Sequence, residues 1–264
     1  LFAHLPLYAG AEGRHLFFDH RDAPGVFPAG SFSLKPSVHR RDLGPRVHCI
    51  PYLDVVDNFM SYLHRPVAVR YPLSFAGQRT ELRERLLPRI GAAVPGCWFR
   101  LRETFFHGPL MTHPGVVRPA PLSDPALERR WRLEFISTLL HSRMALSLPG
   151  YGLNAFRFYE ALSLGVPVLQ VGDDCALPWE DVVDYPAFSR CVPLHPEETL
   201  PERVAAALAD VTDERLGEMR RMARLWYDAY LSPRNFFFLL YRALAPALGK
   251  HAGVLAGPAP EVPA

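Results

Sequence analysis

The chain predicts an α/β fold built on a parallel sheet, on three observations. From Tyr71 onward, strand-like and helix-like segments alternate. The strand-like segments are apolar throughout rather than at every second residue, the mark of strands covered on both faces. Gly150 and Gly152 stand between an apolar run and a helix-like segment. In open parallel sheets such turns lie at the carboxyl ends of the strands, where ligands bind.

Each element has its own warrant. "RHLFFD" (Arg14 to Asp19) reads as a short buried strand, and "RVHCIPYL" (Arg46 to Leu53) as another. The residues between them are rich in Pro, His and Arg and show weak periodicity. "YPLSFAGQ" (Tyr71 to Gln78) is a strand ending beside a glycine, with Arg79 next and Thr80 placed to cap a helix to about Gly91. "CWFRLRET" (Cys97 to Thr104) is strand-like. Ser123 or Asp124 caps a long helix to about Ser142, "MALSLP" is a strand, and a helix runs from Leu153 to Leu164. "VPVLQVG" (Val166 to Gly172) and "CVPL" (Cys191 to Leu194) are further strands. Helices follow at Pro201 to Asp210, Asp213 to Tyr230 and Pro233 to Leu248. The division expected is a partial lobe over 1–65, a Rossmann-like lobe over 66–249 that includes the last helices, and a disordered Pro-rich and small-residue tail over 250–264.

Composition narrows the class. The 264 residues are 49% hydrophobic and 21% charged, with a formal net charge of +2, so the chain is globular and not a general nucleic-acid binder. Lys35 and Lys250 are the only lysines, so the positive charge is nearly all arginine, which suits bidentate phosphate contacts. Cys49, Cys97, Cys175 and Cys191 form no CxxC pair and are read mainly as free thiols. The histidines show no i, i+4 pair, and the adjacent Asp173 and Asp174 would face apart at a strand end, so no metal site is expected. The aromatic run Phe236 to Phe238 is read as core, and Arg129, Arg130 and Arg132 as a solvated helix face. No apolar run reaches about 18 residues, so no membrane span is read.

The glycine turn carries the chemistry. A helix beginning near Leu153 aims unpaired N–H groups and a partial positive charge at the gap, an anion site suited to a diphosphate. Tyr151 lies between the two glycines. Asn154, Arg157 and Glu160 recur every third residue and form one stripe. Arg157 reaches a phosphate, and Glu160, a turn deeper, accepts from ribose hydroxyls. The plainer alternative is a loop glycine pair beside an i, i+3 Arg157–Glu160 salt bridge.

Leu146 to Ser189 resembles the signature of the exostosin family, glycosyltransferase family 47. That pattern runs roughly P-x-G-x-x-x-x-S-x-R-x-x-E-A-L, G-x-x-P-V, then D-x-x-x-L-P-F or L-P-W. Pro149, Gly150, Arg157, Glu160, Ala161, Leu162, Gly165, Pro167, Val168, Asp174, Leu177, Pro178 and Trp179 match it. Ala155 replaces the usual serine. Upstream, "YPLSFAGQR" resembles the family's F-x-G-x-x-R strand, and "GRHLFFDHRDAP" (Gly13 to Pro24) its G-x-x-H-x-x-x-x-x-H-D-x-G stretch, with Asp22 on the motif aspartate. Arg21 stands where the family often has histidine, and Ala23 where tryptophan or arginine is common.

The resemblance implies a GT-B architecture, two Rossmann-like lobes with parallel sheets, with the start of the N-terminal lobe missing from this chain. It implies an inverting glycosyltransferase that moves a sugar from a nucleotide sugar, a UDP-sugar for most members, to a glycan or glycoprotein acceptor without a bound metal. Arg79, Gly150, Tyr151, Gly152, Asn154, Arg157, Glu160 and Asp174 are then the donor side. Asp22 is the candidate base, and Asp19 and His20 lie on the acceptor side. Pairing with a second transferase, as homo- or heterodimer, is a further expectation. So is a Golgi-lumen setting behind a membrane anchor for a eukaryotic source, or a cytoplasmic one for a bacterial source. The alternative is a donor-binding or scaffold subunit of a glycan-synthesising complex, for which the departures at Arg21 and Ala23 leave room.

Overall fold

Short strands with few apolar residues need an outside partner to be buried, and in the first sheet only Phe32–Lys35 is largely buried; Leu16–Phe18, expected to be buried, has Leu16 and Phe18 exposed. The computed structural model describes residues 16–19, 31–52, 60–103 and 124–248. In it β1 (Leu16–Phe18), β2 (Phe32–Lys35) and β3 (Val47–Cys49) pair in parallel in that order, with Phe17 opposite Ser33 and Ser33 opposite Val47. The sequence reading has no strand at β2, because four residues among prolines and arginines carry too weak a pattern. Tertiary packing supplies the missing drive: Leu34 and Ile50 form one apolar cluster with Phe236 and Leu240 from the last helix.

The second sheet follows the predicted alternation. Its elements are β4 (Tyr71–Gln78), α1 (Glu81–Ala93), β5 (Trp98–Arg102), α2 (Pro125–Leu140), β6 (Ser142–Ser147), α3 (Phe156–Ser163), β7 (Val168–Val171) and β8 (Ser189–Val192). All five strands are parallel, in the order β5-β4-β6-β7-β8. Strand direction of travel therefore reverses between β4 and β6, the topological switch point of a doubly wound sheet. Alternate side chains serve alternate faces. Leu73, Phe75, Met144 and Leu146 pack with α1 and with α4 (Leu200–Ala209). Ala76, Ala145 and Val168 pack with α2, α3 and α5 (Asp213–Trp226). Burying one such large side chain contributes about 1.5–3 kcal/mol, so both faces need cover and the strands read as unbroken apolar runs.

Caps set several boundaries. Thr80 accepts from the Arg83 N–H at 3.3 Å, Asp124 from Ala126 at 2.9 Å and Leu127 at 3.3 Å, and Thr212 from Arg215 at 3.2 Å. The α2 helix ends before Ser142, which opens β6 instead. The α3 helix begins at Phe156, later than the Leu153 expected. Asn154 explains the delay, since its Oδ1 accepts from the Ala155 N–H and its Nδ2 donates to the Tyr159 hydroxyl, each at 2.9 Å. This local bond competes with the helix and keeps Ala155 extended. The α5 helix widens into a π turn at Tyr227–Leu231 before α6 (Pro233–Leu248), which returns to the first sheet. Of the aromatic run, Phe236 is core and Phe237 is exposed.

The segment after β2 crosses to the second sheet. His39 bridges antiparallel to Cys175, the Arg40 N–H donates to the Asp174 carbonyl at 2.9 Å, and the Ala176 N–H to the Val38 carbonyl at 3.0 Å.

Candidate functional site

The switch point is bounded by two turns: Arg79-Thr80 between β4 and α1, and Leu148 to Ala155 between β6 and α3. Each following helix carries an arginine in its first turn, Arg83 and Arg157. A cation there opposes the positive end of the helix dipole, an arrangement that an anion would relieve.

Arg83 ties the two turns together. Its Nη1 donates to the Gln78 carbonyl at 2.9 Å, Nη2 to Leu148 at 3.2 Å and Nε to Pro149 at 3.1 Å. Burial lowers its pKa to about 10, with Tyr151 opposing. Gly150 is required by this approach, since a Cβ there would lie 2.7 Å from Arg83 Nη2. The positive-φ glycines among the described residues are Gly96, Gly165 and Gly172, so Gly150 serves by leaving room and not by an unusual backbone conformation.

Arg157 is the centre of the site. It is only 7% exposed. Its Nη2 donates to the Ala76 carbonyl, and its guanidinium carbon lies 3.9 Å from the Phe75 ring centroid. Its Nε and Nη1 are buried with no hydrogen-bond partner among the described residues. A Cβ on Gly77 would overlap Arg157 Nη2, so the glycine ending β4 is a cradle for the arginine. Burial, and then Arg83, push the Arg157 pKa down to about 9; Glu160 opposes and Arg102 adds. A charged group held dry with unused donors is costly unless something pairs with it. What fits is an oxyanion.

The other expected residues fall in different places. Tyr151 is exposed, and Gly152 accepts from the Gly150 N–H at 3.1 Å. The Leu153 N–H donates to Ser37 Oγ at 2.9 Å, so the segment after β2 already reaches this turn. Asn154 is buried by the bonds above. Glu160 is 4% exposed, so it and Arg157 form a buried pair of helix positions and not the open stripe expected. Arg79 is engaged by Glu84 and, at 2.8 Å, by Glu103. Asp174 meets His39, Nδ1 to Oδ2, at 2.5 Å. Asp19 is buried in an ion pair with Lys35 at 3.0 Å. Asp22 and His20 lie outside the described residues. Sequence reasoning passed over Arg83, Ser37 and His39. Arg83 had a usable signal, an arginine three residues after a cap; the other two meet partners more than a hundred residues away.

No family model matches the chain. A stretch of 102 residues, 39% of this chain, is 31% identical to an Exostosin-1 homolog from Caenorhabditis elegans and spans 25% of that protein's length. Among solved structures, a glycosyltransferase from Rickettsia africae ESF-5 aligns over 84% of this chain and 64% of its own, at 10% identity and a TM-score of 0.49. AviGT4, a glycosyltransferase involved in avilamycin A biosynthesis, aligns over 89% and 77%, at 18% identity and a TM-score of 0.46.

Proposed function

We propose that this chain is the donor-binding part of an exostosin-like glycosyltransferase that transfers a sugar from a UDP-sugar to a glycan hydroxyl with inversion. One observation carries the reading: Arg157, buried at the switch point with Nε and Nη1 unused, beside Arg83. The local match to an exostosin homolog supports the same class.

The chemistry follows from charge. As the bond from the sugar's anomeric carbon to phosphate breaks, an oxocarbenium-like centre forms and negative charge grows on the diphosphate. Arg157 and Arg83 are already buried and fixed beside the start of α3, so with its first amides they stabilise that charge without reorganising. Glu160, a turn beyond Arg157, offsets part of the cation's field. The ribose role read for Glu160 requires its buried carboxylate to be uncovered by the ligand. Asp22, the base read from the motif, lies outside the described residues.

Isothermal titration with UDP, and UDP release from a panel of UDP-sugars with and without glycan acceptors, tests this for wild type and Arg157→Ala. Binding by wild type and at least a tenfold loss in the variant are expected. A wild-type protein that binds no UDP or UDP-sugar refutes the proposal.

A further inference from the structure

An inverting transfer needs a group that takes the acceptor hydroxyl's proton as its oxygen attacks. Histidine suits the task when one ring nitrogen is held by a carboxylate and the other is free. Among the described residues, His39 meets that description. Its Nδ1 lies 2.5 Å from Asp174 Oδ2, its side chain is 32% exposed, and its Nε2 has no hydrogen-bond partner among those residues. With the proton on Nδ1, facing the carboxylate, Nε2 carries the lone pair.

Position supports the role. His39 is two residues after Ser37, whose hydroxyl accepts the Leu153 N–H at the turn before α3. Two residues span at most about 7 Å, so His39 lies within that reach of the residue that holds the turn before α3. Asp174 follows β7, the neighbour of β6 in the sheet. The imidazole thus sits between the carboxyl ends of the two sheets. As a fastener the pair adds little, because exposed ion pairs contribute little. The same segment is already held by its backbone bonds, by Arg40 Nε to the Asp173 carbonyl at 3.0 Å and by Arg40 to Glu180 at 2.5 Å.

We propose that His39 is the catalytic base of the transfer and Asp174 its positioning residue; this rests on the glycosyltransferase reading above. The acceptor oxygen forms its bond to the anomeric carbon while its proton passes to His39 Nε2. The bond from that carbon to the diphosphate oxygen breaks, and the electron pair leaves with the diphosphate. The imidazolium formed is paired with Asp174 and returns its proton to water after product release. The charged groups on the segments that carry the pair are Asp174, Asp173, Arg40 with its partner Glu180, and Arg41 with Asp42 at 3.9 Å; Cys175 is the residue bridged to His39.

The test uses the full chain, UDP-sugars and p-nitrophenyl glycoside acceptors, with UDP affinity measured in parallel. His39→Asn keeps an amide nitrogen near the Nδ1 position, and so the bond across the seam, but removes Nε2. It is expected to lower kcat at least about 100-fold and to leave the UDP Kd within about twofold. Asp174→Asn keeps a polar partner for Nδ1 but removes the carboxylate, and is expected to lower kcat at least about tenfold with the UDP Kd within about twofold; a merely structural bridge would not split kcat from binding. Wild-type kcat in His39→Asn overturns the proposal. So does a loss of activity matched by an equal loss of UDP binding, which would show a structural role. A wild type that binds UDP-sugar but turns over none also overturns it. A wild type that binds no UDP sinks the glycosyltransferase reading instead, and the base assignment with it.

Discussion

Gly77→Ala adds one methyl group at the point where β4 meets the buried guanidinium of Arg157. The new Cβ would overlap Arg157 Nη2 and lie 3.2 Å from Phe75 Cζ and 3.3 Å from Cε1. Neither neighbour has space, since Phe75 is 1% and Arg157 7% exposed. Displacing the arginine breaks its bond to the Ala76 carbonyl, a charged hydrogen bond worth about 1.5–3 kcal/mol. It also lifts the cation off the Phe75 ring, at about 0.5–2 kcal/mol. Keeping the arginine in place costs overpacking strain of about 1–3 kcal/mol instead. These alternatives overlap, so the expected loss is about 2–4 kcal/mol, a large share of a typical 5–15 kcal/mol. Urea unfolding would show it as a lower midpoint at unchanged slope, and UDP titration would show weakened binding. The matched control is Gly217→Ala inside α5, where a Cβ meets nothing within 4 Å. There alanine should stabilise by about 0.5–1 kcal/mol. If Gly77→Ala melts and binds like wild type, the cradle is wrong.

Arg83→Met should destabilise more than Arg157→Met, since Arg83 satisfies three carbonyls and Arg157 one; urea midpoints rank the two, and both variants should lose UDP binding by titration. Gly150→Ala should lower the urea midpoint through the 2.7 Å clash with Arg83, by about 1–3 kcal/mol. Alkaline pH should weaken the fold. Burial, then Glu180, pushes the Cys175 thiol up to about 12, and burial pushes Cys97 to about 11, against 9.0 for an unperturbed thiol. The unfolded chain then gives up protons that the folded one keeps, so this stability is complete below pH 9 and lost as pH rises towards 12. Urea midpoints compared across pH 8 to 11 would measure the slope, and Cys175→Ala should flatten it.

The elements that sequence pattern exposes are those whose burial is local. Val168–Val171 is buried at every residue, and so reads as a central strand without further help. Phe32–Lys35 owes its burial to Phe236 and Leu240, two hundred residues on, and no local pattern encodes that. The start of α3 differs for a second reason. Leu153 to Leu164 has helical spacing, but Asn154 spends its side chain on Ala155 and Tyr159 and delays the first turn.

The site divides along the same line. Gly150 and Arg157 belong to one motif, and the motif points to a diphosphate; it does not reveal that the glycine's neighbour is a different arginine. Arg83 fills the space beside Gly150, and Gly77 leaves the space for Arg157. Each glycine thus serves an arginine from the opposite turn, which is why spacing within one motif could not pair them. One local signal did exist in both helices. An arginine in a helix's first turn meets the dipole's positive end, a conflict of about 0.3–1 kcal/mol with no local remedy. Once is unremarkable on a solvated surface. Twice, on the two helices that flank a switch point, with both side chains buried, the conflict adds up instead of being screened. A ligand with two negative phosphates is the simplest partner that would resolve it.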